Sequence, residues 1–364
     1  MKTILINGFF LCRNLTGIER YAFEITKRLD KLSVPGEISI IIPGNCDFMP
    51  DYKNISIIRY KKKIPHILWQ LFTLQFFLFT HRQYTILDFG NTCLPFFPGI
   101  VFLHDIYCEF FPEDFTGFKD KVVRFYNRWQ YRLISRKAKK IITVSYFTRN
   151  QIAENFGVNA EKISVIYSSW EHFKLIKADY TALDAYPALK KGEFFFLLGS
   201  LSKRKNIKWI IEYAKKNPDA IFAISGVSLP TVKADELDGP LPYNIILLGY
   251  LDDSKVKAVM ENCKAFILPS YYEGFGLTPL EALSCGAQVI VARAASLPEI
   301  YGNTAHYIDP FDTNVDLDEI LKQSVEKPDK ILAKYSYDTA AKQVYDLIIE
   351  YCNGQLCGNE SLKE

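Results

Sequence analysis

Glu273-Gly-Phe-Gly-Leu-Thr-Pro-Leu-Glu281 follows the short apolar run Ala265 to Pro269. The run reads as a buried strand, the glycines as a loop and Thr278 to Cys285 as a helix. The stretch is therefore one strand–loop–helix turn of an α/β domain. Gly274 and Gly276 allow positive φ and a close approach of backbone to ligand. Thr278 suits an N-cap and Pro279 the first helical position. The helix then turns free N–H groups and a positive dipole end back onto the loop, a setting that suits phosphate. An ionised Glu accepts two hydroxyl donors at once, which suits a sugar or ribose diol. Two bland readings stand beside this one. Thr278-x-x-Glu281 also spells a capping box, in which Glu281 bonds its own helix start. Glu273 also reads as a solvated loop acid.

Working outward, the same alternation fills the chain. Strands are expected at Phe194 to Leu198, Ala220 to Ser225, Asn244 to Leu248, Ala265 to Pro269 and Gln288 to Ala292, with helices at Asn206 to Lys216 and Asp252 to Asn262 between them. The first half repeats the pattern, with strands at Thr3 to Asn7, Ile38 to Ile42, Ile55 to Arg59, Thr85 to Leu87, Ile100 to Leu103, Lys140 to Val144 and Ile163 to Tyr167. Helices are expected there at Gly17 to Leu32, Lys119 to Lys137 and Tyr146 to Phe156. Repeated βα units imply parallel sheets covered on both faces. The fold class is thus α/β, with two tandem Rossmann-like doubly wound domains facing across a cleft. The polar stretch Tyr180 to Gly192 marks the boundary, giving domains over 1–187 and 188–335 and a last helix over 336–352. In such folds ligands bind at the carboxyl ends of the strands.

A length of 364 residues is natural for two domains. Residues 1–187 hold 25 Lys and Arg against 17 Asp and Glu, a net of +8; the remainder holds 19 against 24, a net of −5. A basic first half suits an anionic partner, such as a phospholipid surface or a pyrophosphate-linked substrate. Eight cysteines lie without any Cys-x-x-Cys pair, Cys352 and Cys357 being nearest, which reads as reduced thiols and a cytosolic compartment. The first residues run straight into a strand, and no signal peptide is read there. Ile64 to Phe79, after Lys61-Lys62-Lys63, is apolar but spans 16 residues and carries His66, Gln70, Thr73 and Gln75. A spanning helix needs about 20 apolar residues, so a buried or interfacial helix is expected. Lys121, Arg124, Arg128, Arg132 and Arg136 form a basic helical stripe interleaved with Phe125, Trp129 and Leu133. It reads as a solvated face above a core stripe, or as an attachment to anionic lipid or a polyprenyl-pyrophosphate acceptor.

Leu198-Gly-Ser-Leu-Ser-Lys-Arg-Lys-Asn206 ends a strand and opens a helix. A glycine turn followed by cations at a helix start has the geometry of a phosphate site, with Arg204 as a fork and Lys205 as a point charge. Standing alone it is equally a solvated loop. Asp316-Leu317-Asp318 spells a metal-binding Asp-x-Asp, but it starts a helix and reads as capping, so no metal and no cofactor are expected.

Taken in order, these motifs resemble a known family. Gly199-Ser-Leu-x-x-Arg-Lys-Asn206, the Glu273-x7-Glu281 loop and Ser296-Leu-Pro-Glu299 are similar to the retaining glycosyltransferases of family 4, which have the two-domain B-type fold. Thr16-Gly-Ile-Glu-Arg-Tyr21, Ile67-Leu-Trp-Gln70, His104-Asp-Ile106, Thr143-Val-Ser145 and Ile163-Ser-Val-Ile-Tyr167 match further stations, so the resemblance covers about residues 3 to 350. It implies that Lys205 and Arg204 hold a donor pyrophosphate, Glu281 binds ribose hydroxyls and Glu273 contacts the transferred sugar. Phe275, Gly276 and Leu277 would line sugar and phosphate, and Tyr250 and Leu251 would lie near the base. From the first domain, Gly17 would touch the donor phosphate and His104 would sit at the reacting sugar, although a lone His after a strand is also a common structural residue. Three positions depart from the family pattern. Thr16-Gly17 replaces two glycines, Ser200 stands where some members carry a second cation, and Tyr167-Ser-Ser-Trp170 lacks the common glycine.

The resulting expectation is a metal-independent retaining hexosyl- or deoxyhexosyltransferase, mannosyl or rhamnosyl by its first-half motifs. Its partners would be a nucleoside-diphosphate sugar, a glycan or polyprenyl-pyrophosphate-linked acceptor and the inner face of an anionic membrane, with no nucleic acid. The rivals are a nucleotide-sugar epimerase on the same fold and a catalytically silent nucleotide-sugar-binding subunit.

Overall fold

The computed structural model describes residues 3–44, 46, 48–60, 62–199, 202–226 and 240–354. Lys61, Ser200, Leu201 and Cys357 of the motifs above lie outside them. The chain divides into two compact units, Met1–Ser168 with Tyr337–Glu364, and Ser169–Ser336.

The first unit is built on a seven-stranded sheet, ordered β3 (Ser56–Arg59), β2 (Ile38–Ile42), β1 (Thr3–Asn7), β4 (Tyr84–Asp88), β5 (Ile100–Phe102), β6 (Lys140–Thr143) and β7 (Ile163–Val165). The second has six strands, ordered β10 (Ile245–Gly249), β9 (Ile221–Ser225), β8 (Phe194–Leu198), β11 (Ala265–Leu268), β12 (Gln288–Ala292) and β13 (His306–Ile308). All pairs are parallel. Both sheets wind outward in two directions from their first strand, so each has a switch point, between β1 and β4 and between β8 and β11. Loops leaving the carboxyl ends there diverge and open a crevice.

Strands such as β2, Ile-Ser-Ile-Ile-Ile, are buried along their whole length, as a sheet covered on both faces requires. The covering helices of the first unit are α1 (Gly17–Leu32), α2 (His66–Leu68), α3 (Leu74–Thr80), α4 (Tyr107–Phe110), α5 (Phe118–Lys137), α6 (Tyr146–Phe156) and α14 (Tyr337–Cys352). Those of the second are α7 (Thr181–Asp184), α8 (Ile207–Lys216), α9 (Asp253–Asn262), α10 (Thr278–Ser284), α11 (Leu297–Tyr301), α12 (Leu317–Lys322) and α13 (Asp329–Lys334). In the first unit, Ala341, Val344 and Ile348 of α14 join Tyr21, Ile25 and Leu29 of α1 in one buried cluster. Each fully buried aliphatic side chain contributes about 1.5–3 kcal/mol. Arg28 adds an ion pair to Asp338 at 2.5 Å.

The boundary lies earlier than composition suggested. Residues 169–187 belong to the second unit, because Lys257 of α9 donates to the carbonyls of Phe173 and Ile176 (3.2 and 2.7 Å) and Trp170 Nε1 donates to Leu332 O at 3.0 Å. The polar stretch to Gly192 lies within that unit and carries α7. The final helix begins at Tyr337 and is part of the first unit. β13, α11 and α13 were not anticipated, being too short to display a period, whereas α12 starts where Asp316-Leu317-Asp318 predicted a capped helix.

Two helices of the first unit differ from expectation in their faces. Between α2 and α3 a π-turn over Trp69–Thr73 shifts the register. Gln70 and Gln75 are buried, whereas Phe72 and Phe76 are 64% and 73% exposed. On α5, Phe118, Val122, Phe125 and Trp129 are exposed. The apolar stripe of this helix is therefore not core along its first three turns. Among the described residues, no helix is long and apolar enough to cross a membrane.

Candidate functional site

In the second unit, the loops after β8 and β11 flank the switch point and carry the charged residues. After β8, Lys203–Lys205 forms one 3-10 turn, and the helix starts only at Ile207. Asn206 lies between them in the left-handed region, φ 57° and ψ 46°. Its side chain donates to Pro269 O at 3.1 Å and Pro310 O at 2.7 Å. Tyr271 N donates to Arg204 O at 3.1 Å. These bonds fasten the cationic turn to the end of β11, so it is not a loose surface loop.

Glu273 is 5% exposed, and Lys205 Nζ lies 2.8 Å from its Oε1, with Arg204 Nη1 4.0 Å from Oε2. Burial alone would raise this carboxyl; the Lys205 ammonium and then the Arg204 guanidinium outweigh it and hold the group below the ordinary carboxylate range. Glu273 is thus a buried, ionised carboxylate and not a solvated loop acid. Its backbone is fixed too, as Ser296 Oγ donates to Glu273 O at 2.9 Å and Tyr301 OH donates to Gly276 O. Gly276 takes φ +79°, and a Cβ there would stand 2.6 Å from Leu297. Gly274 has no positive φ, so only one of the two glycines is required by conformation. Phe275 is buried edge-on to Tyr335, with ring centroids 5.3 Å apart.

The capping expectation at Thr278 fails. Leu277 already has helical angles (φ −68°, ψ −42°), Thr278 is the first residue of α10 and its buried hydroxyl has no partner. Glu281 forms no capping box either. Its Oε1 lies 3.1 Å from His172 Nε2, and both side chains are buried. Sequence reasoning did not find His172. It sits in a 3-10 turn, Glu171–Leu175, whose pattern carries no periodic signal. Tyr250 is exposed and follows Gly249 (φ 65°) at the end of β10. At the neighbouring strand ends, Gly226 N donates to Gly249 O at 2.8 Å, and a Cβ on Gly226 would stand 2.7 Å from Gly199 O.

Gly17 and His104 belong to the first unit. Gly17 opens α1; a Cβ there would meet nothing within 4 Å and its φ is not positive. Nothing inside the protein requires glycine at this position. His104 is buried, packs edge-on to Tyr21 at 5.6 Å and lies parallel to Phe102 at 5.9 Å. Its Nε2 bonds Phe89 O at 2.9 Å, and its backbone N donates to Asn91 Oδ1 at 2.7 Å. Asn91 holds a strained φ of 58°. Burial lowers the imidazole's affinity for a proton, so the ring is neutral, with Nε2–H donating and Nδ1 able to accept.

The first unit's own switch point is a polar network centred on Asp88. Asn7 Nδ2 and Gln70 Nε2 donate to Asp88 Oδ2 (2.7 and 3.1 Å), while Gly90 N and Thr92 Oγ1 donate to Oδ1 (2.7 and 3.0 Å). Trp69 Nε1 donates to Asn7 Oδ1 at 2.9 Å. A cavity lined by Asn7, Gln70 and Asp88 opens past Arg13, Glu19 and His66. The spacing of Trp69-Gln70 marked a motif station, but not its hydrogen-bond role.

The basic stripe of α5 is partly consumed inside the unit. Arg128 and Arg132 both pair with Glu109 (2.8 and 3.1 Å), and Arg124 Nε donates to Cys108 O at 3.0 Å. Asp316 caps α12, accepting from the N–H groups of Asp318 and Glu319 (2.9 and 3.1 Å), and Asp318 pairs with Lys264 at 2.5 Å. Among the described residues, no group of three His, Cys, Asp or Glu side chains gathers as metal ligands would.

Comparison with known proteins bears on the family and the fold. A family model described as Glycosyltransferase Family 4 matches residues 15–169, and one described as Glycosyl transferases group 1 matches residues 182–338. The chain is 27% identical over 340 residues to O-antigen chain mannosyltransferase B of Escherichia coli, covering 82% of this chain and 84% of that protein. It is 26% identical over 258 residues to the O-antigen chain mannosyltransferase RfbU of Salmonella typhimurium, covering 68% of each. Among solved structures, Anabaena HepE in complex with UDP and glucose superposes with a TM-score of 0.66 at 18% identity, over 96% of this chain and 99% of that one. The architecture is the two-domain B-type glycosyltransferase fold.

Proposed function

The chain belongs to the family 4 glycosyltransferases, and we propose that it is a retaining, metal-independent enzyme of surface-polysaccharide assembly. It moves a hexose or deoxyhexose from a nucleoside-diphosphate sugar to a glycan or polyprenyl-pyrophosphate-linked acceptor. The observation that carries this reading is the buried Lys205–Glu273 pair beside Arg204 at the β8/β11 switch point. Mannose is the first candidate sugar, since two relatives are named as mannosyltransferases.

The chemistry follows from charge. The bond from the anomeric carbon to the diphosphate breaks, and negative charge collects on the leaving oxygen. Lys205 and Arg204 stabilise that charge in a low-dielectric setting, where fixed cations are most effective. Glu273 holds the ammonium in place, and it accepts hydroxyls of the sugar. The acceptor oxygen bonds the anomeric carbon from the face the diphosphate leaves, and its proton passes to the departing phosphate oxygen. Gly17 leaves room for the phosphate. His104, neutral and fixed through Nε2, offers Nδ1 to a sugar hydroxyl. Tyr250 and Leu251 border the base, and Phe275, Gly276 and Leu277 the sugar and phosphate.

Lys205→Ala and Glu273→Ala are the test. Each is expected to abolish transfer while far-UV circular dichroism stays unchanged; full turnover in either variant overturns the assignment. A hydrolysis and transfer screen across GDP-, UDP- and dTDP-sugars names the donor. Epimerised sugar would favour an epimerase, and binding without turnover a silent subunit.

A second reading concerns location. The exposed Phe118, Phe125 and Trp129 on α5, with Phe72 and Phe76 on the 66–80 helical segment, lie in the unit that carries the net positive charge. Apolar rings among cations suit the interface of an anionic bilayer. The protein would then work at the inner face of the cytoplasmic membrane. Flotation with phosphatidylglycerol vesicles at low salt checks this, and no binding removes it.

A further inference from the structure

The chain enters the second unit at Ser169, and the turn that follows is held on several sides. Ser169 Oγ donates to Tyr335 O at 2.7 Å, Trp170 Nε1 donates to Leu332 O at 3.0 Å, and Ser336 Oγ donates to the Glu171 carboxylate at 3.2 Å. Lys257 binds the carbonyls of Phe173 and Ile176, and Phe173 is buried. His172 stands in the middle of this braced turn with little freedom to move. Its Nε2 lies 3.1 Å from Glu281 Oε1, and the side chains are 6% and 8% exposed. An ionised carboxylate only accepts, so Nε2 carries the proton of that contact.

We propose that His172 is a positioning residue that aims the Glu281 carboxylate at the vicinal hydroxyls of a ribonucleotide. This rests on the reading of Glu281 as the ribose-binding acid. A carboxylate has about four lone-pair sites, and a diol needs two of them in one plane. Left alone, the terminal torsion of a Glu is broad and roughly two-fold, so the plane is poorly defined. One N–H from a braced imidazole fixes that plane and leaves sites for both hydroxyls. Such preorganisation lowers the ordering cost of binding without His172 touching the nucleotide.

The test measures GDP, UDP and their 2′-deoxy forms by calorimetry on the full chain. The unaltered protein is expected to prefer its ribonucleotide about tenfold or more, the range of a hydrogen bond to a charged group. His172→Leu keeps bulk and removes the N–H. It should cut that preference to within about twofold while the 2′-deoxy affinity hardly moves. His172→Gln, whose amide N–H reaches a similar point, should restore most of it. In steady state, His172→Leu should raise the donor KM about tenfold and leave kcat nearly unchanged. Should His172→Leu fail to fold, His172→Asn, whose amide falls short of Glu281, gives the same comparison. Equal weakening of ribo and deoxy forms means a merely structural role and overturns the proposal. Loss of preference in Glu281→Ala but not in the His172 variants overturns it alone. A preference that survives Glu281→Ala, or is absent from the unaltered chain, instead removes the ribose reading beneath it.

Discussion

The two sheets share one topology, and their switch points hold opposite kinds of polar group. Between β8 and β11 the site is ionic: a buried carboxylate faced by an ammonium and a guanidinium. Between β1 and β4 it is one carboxylate, Asp88, saturated by amide, hydroxyl and backbone donors. Parallel strands open the same crevice in both, so topology supplies the place and side chains supply the chemistry. Cations paired with a buried carboxylate concentrate charge at the crevice. A closed ring of neutral donors holds geometry.

The comparison breaks first at Lys205. Lys205→Ala should lower kcat/KM by at least about 10³-fold, whereas Asp88→Asn should change it far less, because only the first variant removes a cation from the leaving group. Equal losses would mean the two crevices do equivalent work. In stability the order reverses. Asp88→Ala strands the donors of Asn7, Gln70 and Thr92 and should cost about 3–5 kcal/mol, read as a lower urea midpoint. Glu273→Gln keeps volume and should cost less.

Acid separates the sites by pH window. Burial depresses the proton affinity of His104, and His66 is lowered by burial and then by Arg13. The unfolded chain therefore binds more protons at these groups, and stability falls as pH drops below about 6.5. His104→Gln should remove part of that slope between pH 7 and 5. Glu273 is depressed as well, so its contribution is complete above the unfolded carboxylate value of about 4.3 and is lost only as pH falls through its lower folded value. Glu273→Gln should leave the slope above pH 5 untouched.

The smallest effects lie at the margins. Phe125→Ser, on an exposed position, should change stability by less than about 0.5 kcal/mol yet weaken vesicle flotation. Gly17→Ala should leave the thermal midpoint unchanged or slightly raised, since its Cβ meets nothing. A fall in transfer with no fall in stability would mark the open helix start as ligand space.

Much of this was legible beforehand where local chemistry repeats. The strand–loop–helix turns at Gly199 and Glu273 announced parallel sheets, because apolar runs between glycine loops have few other packings. The pairing of Lys205 with Glu273 was not legible. The two lie on different βα turns, brought together by the left-handed Asn206, stapled to Pro269 and Pro310, and by the Tyr271 N–H on Arg204 O. His172 was hidden for a related reason: its partner is more than a hundred positions away, in a turn with no period. The faces of the 66–80 segment misled because a π-turn shifts register, which a regular helical wheel does not allow. Thr278 misled because Leu277 was already helical.

The first unit is interrupted in the chain: α14 completes a core begun by α1, and the whole second unit is spelled out between Ser168 and Tyr337. On a ribosome, Tyr21, Ile25 and Leu29 would emerge long before the helix that covers them. At roughly 5–20 residues per second, the interruption lasts on the order of ten seconds. During that time the second unit, contiguous in sequence, has all its strands available and can fold. The first waits with an uncovered apolar groove and seals only once α14 has emerged.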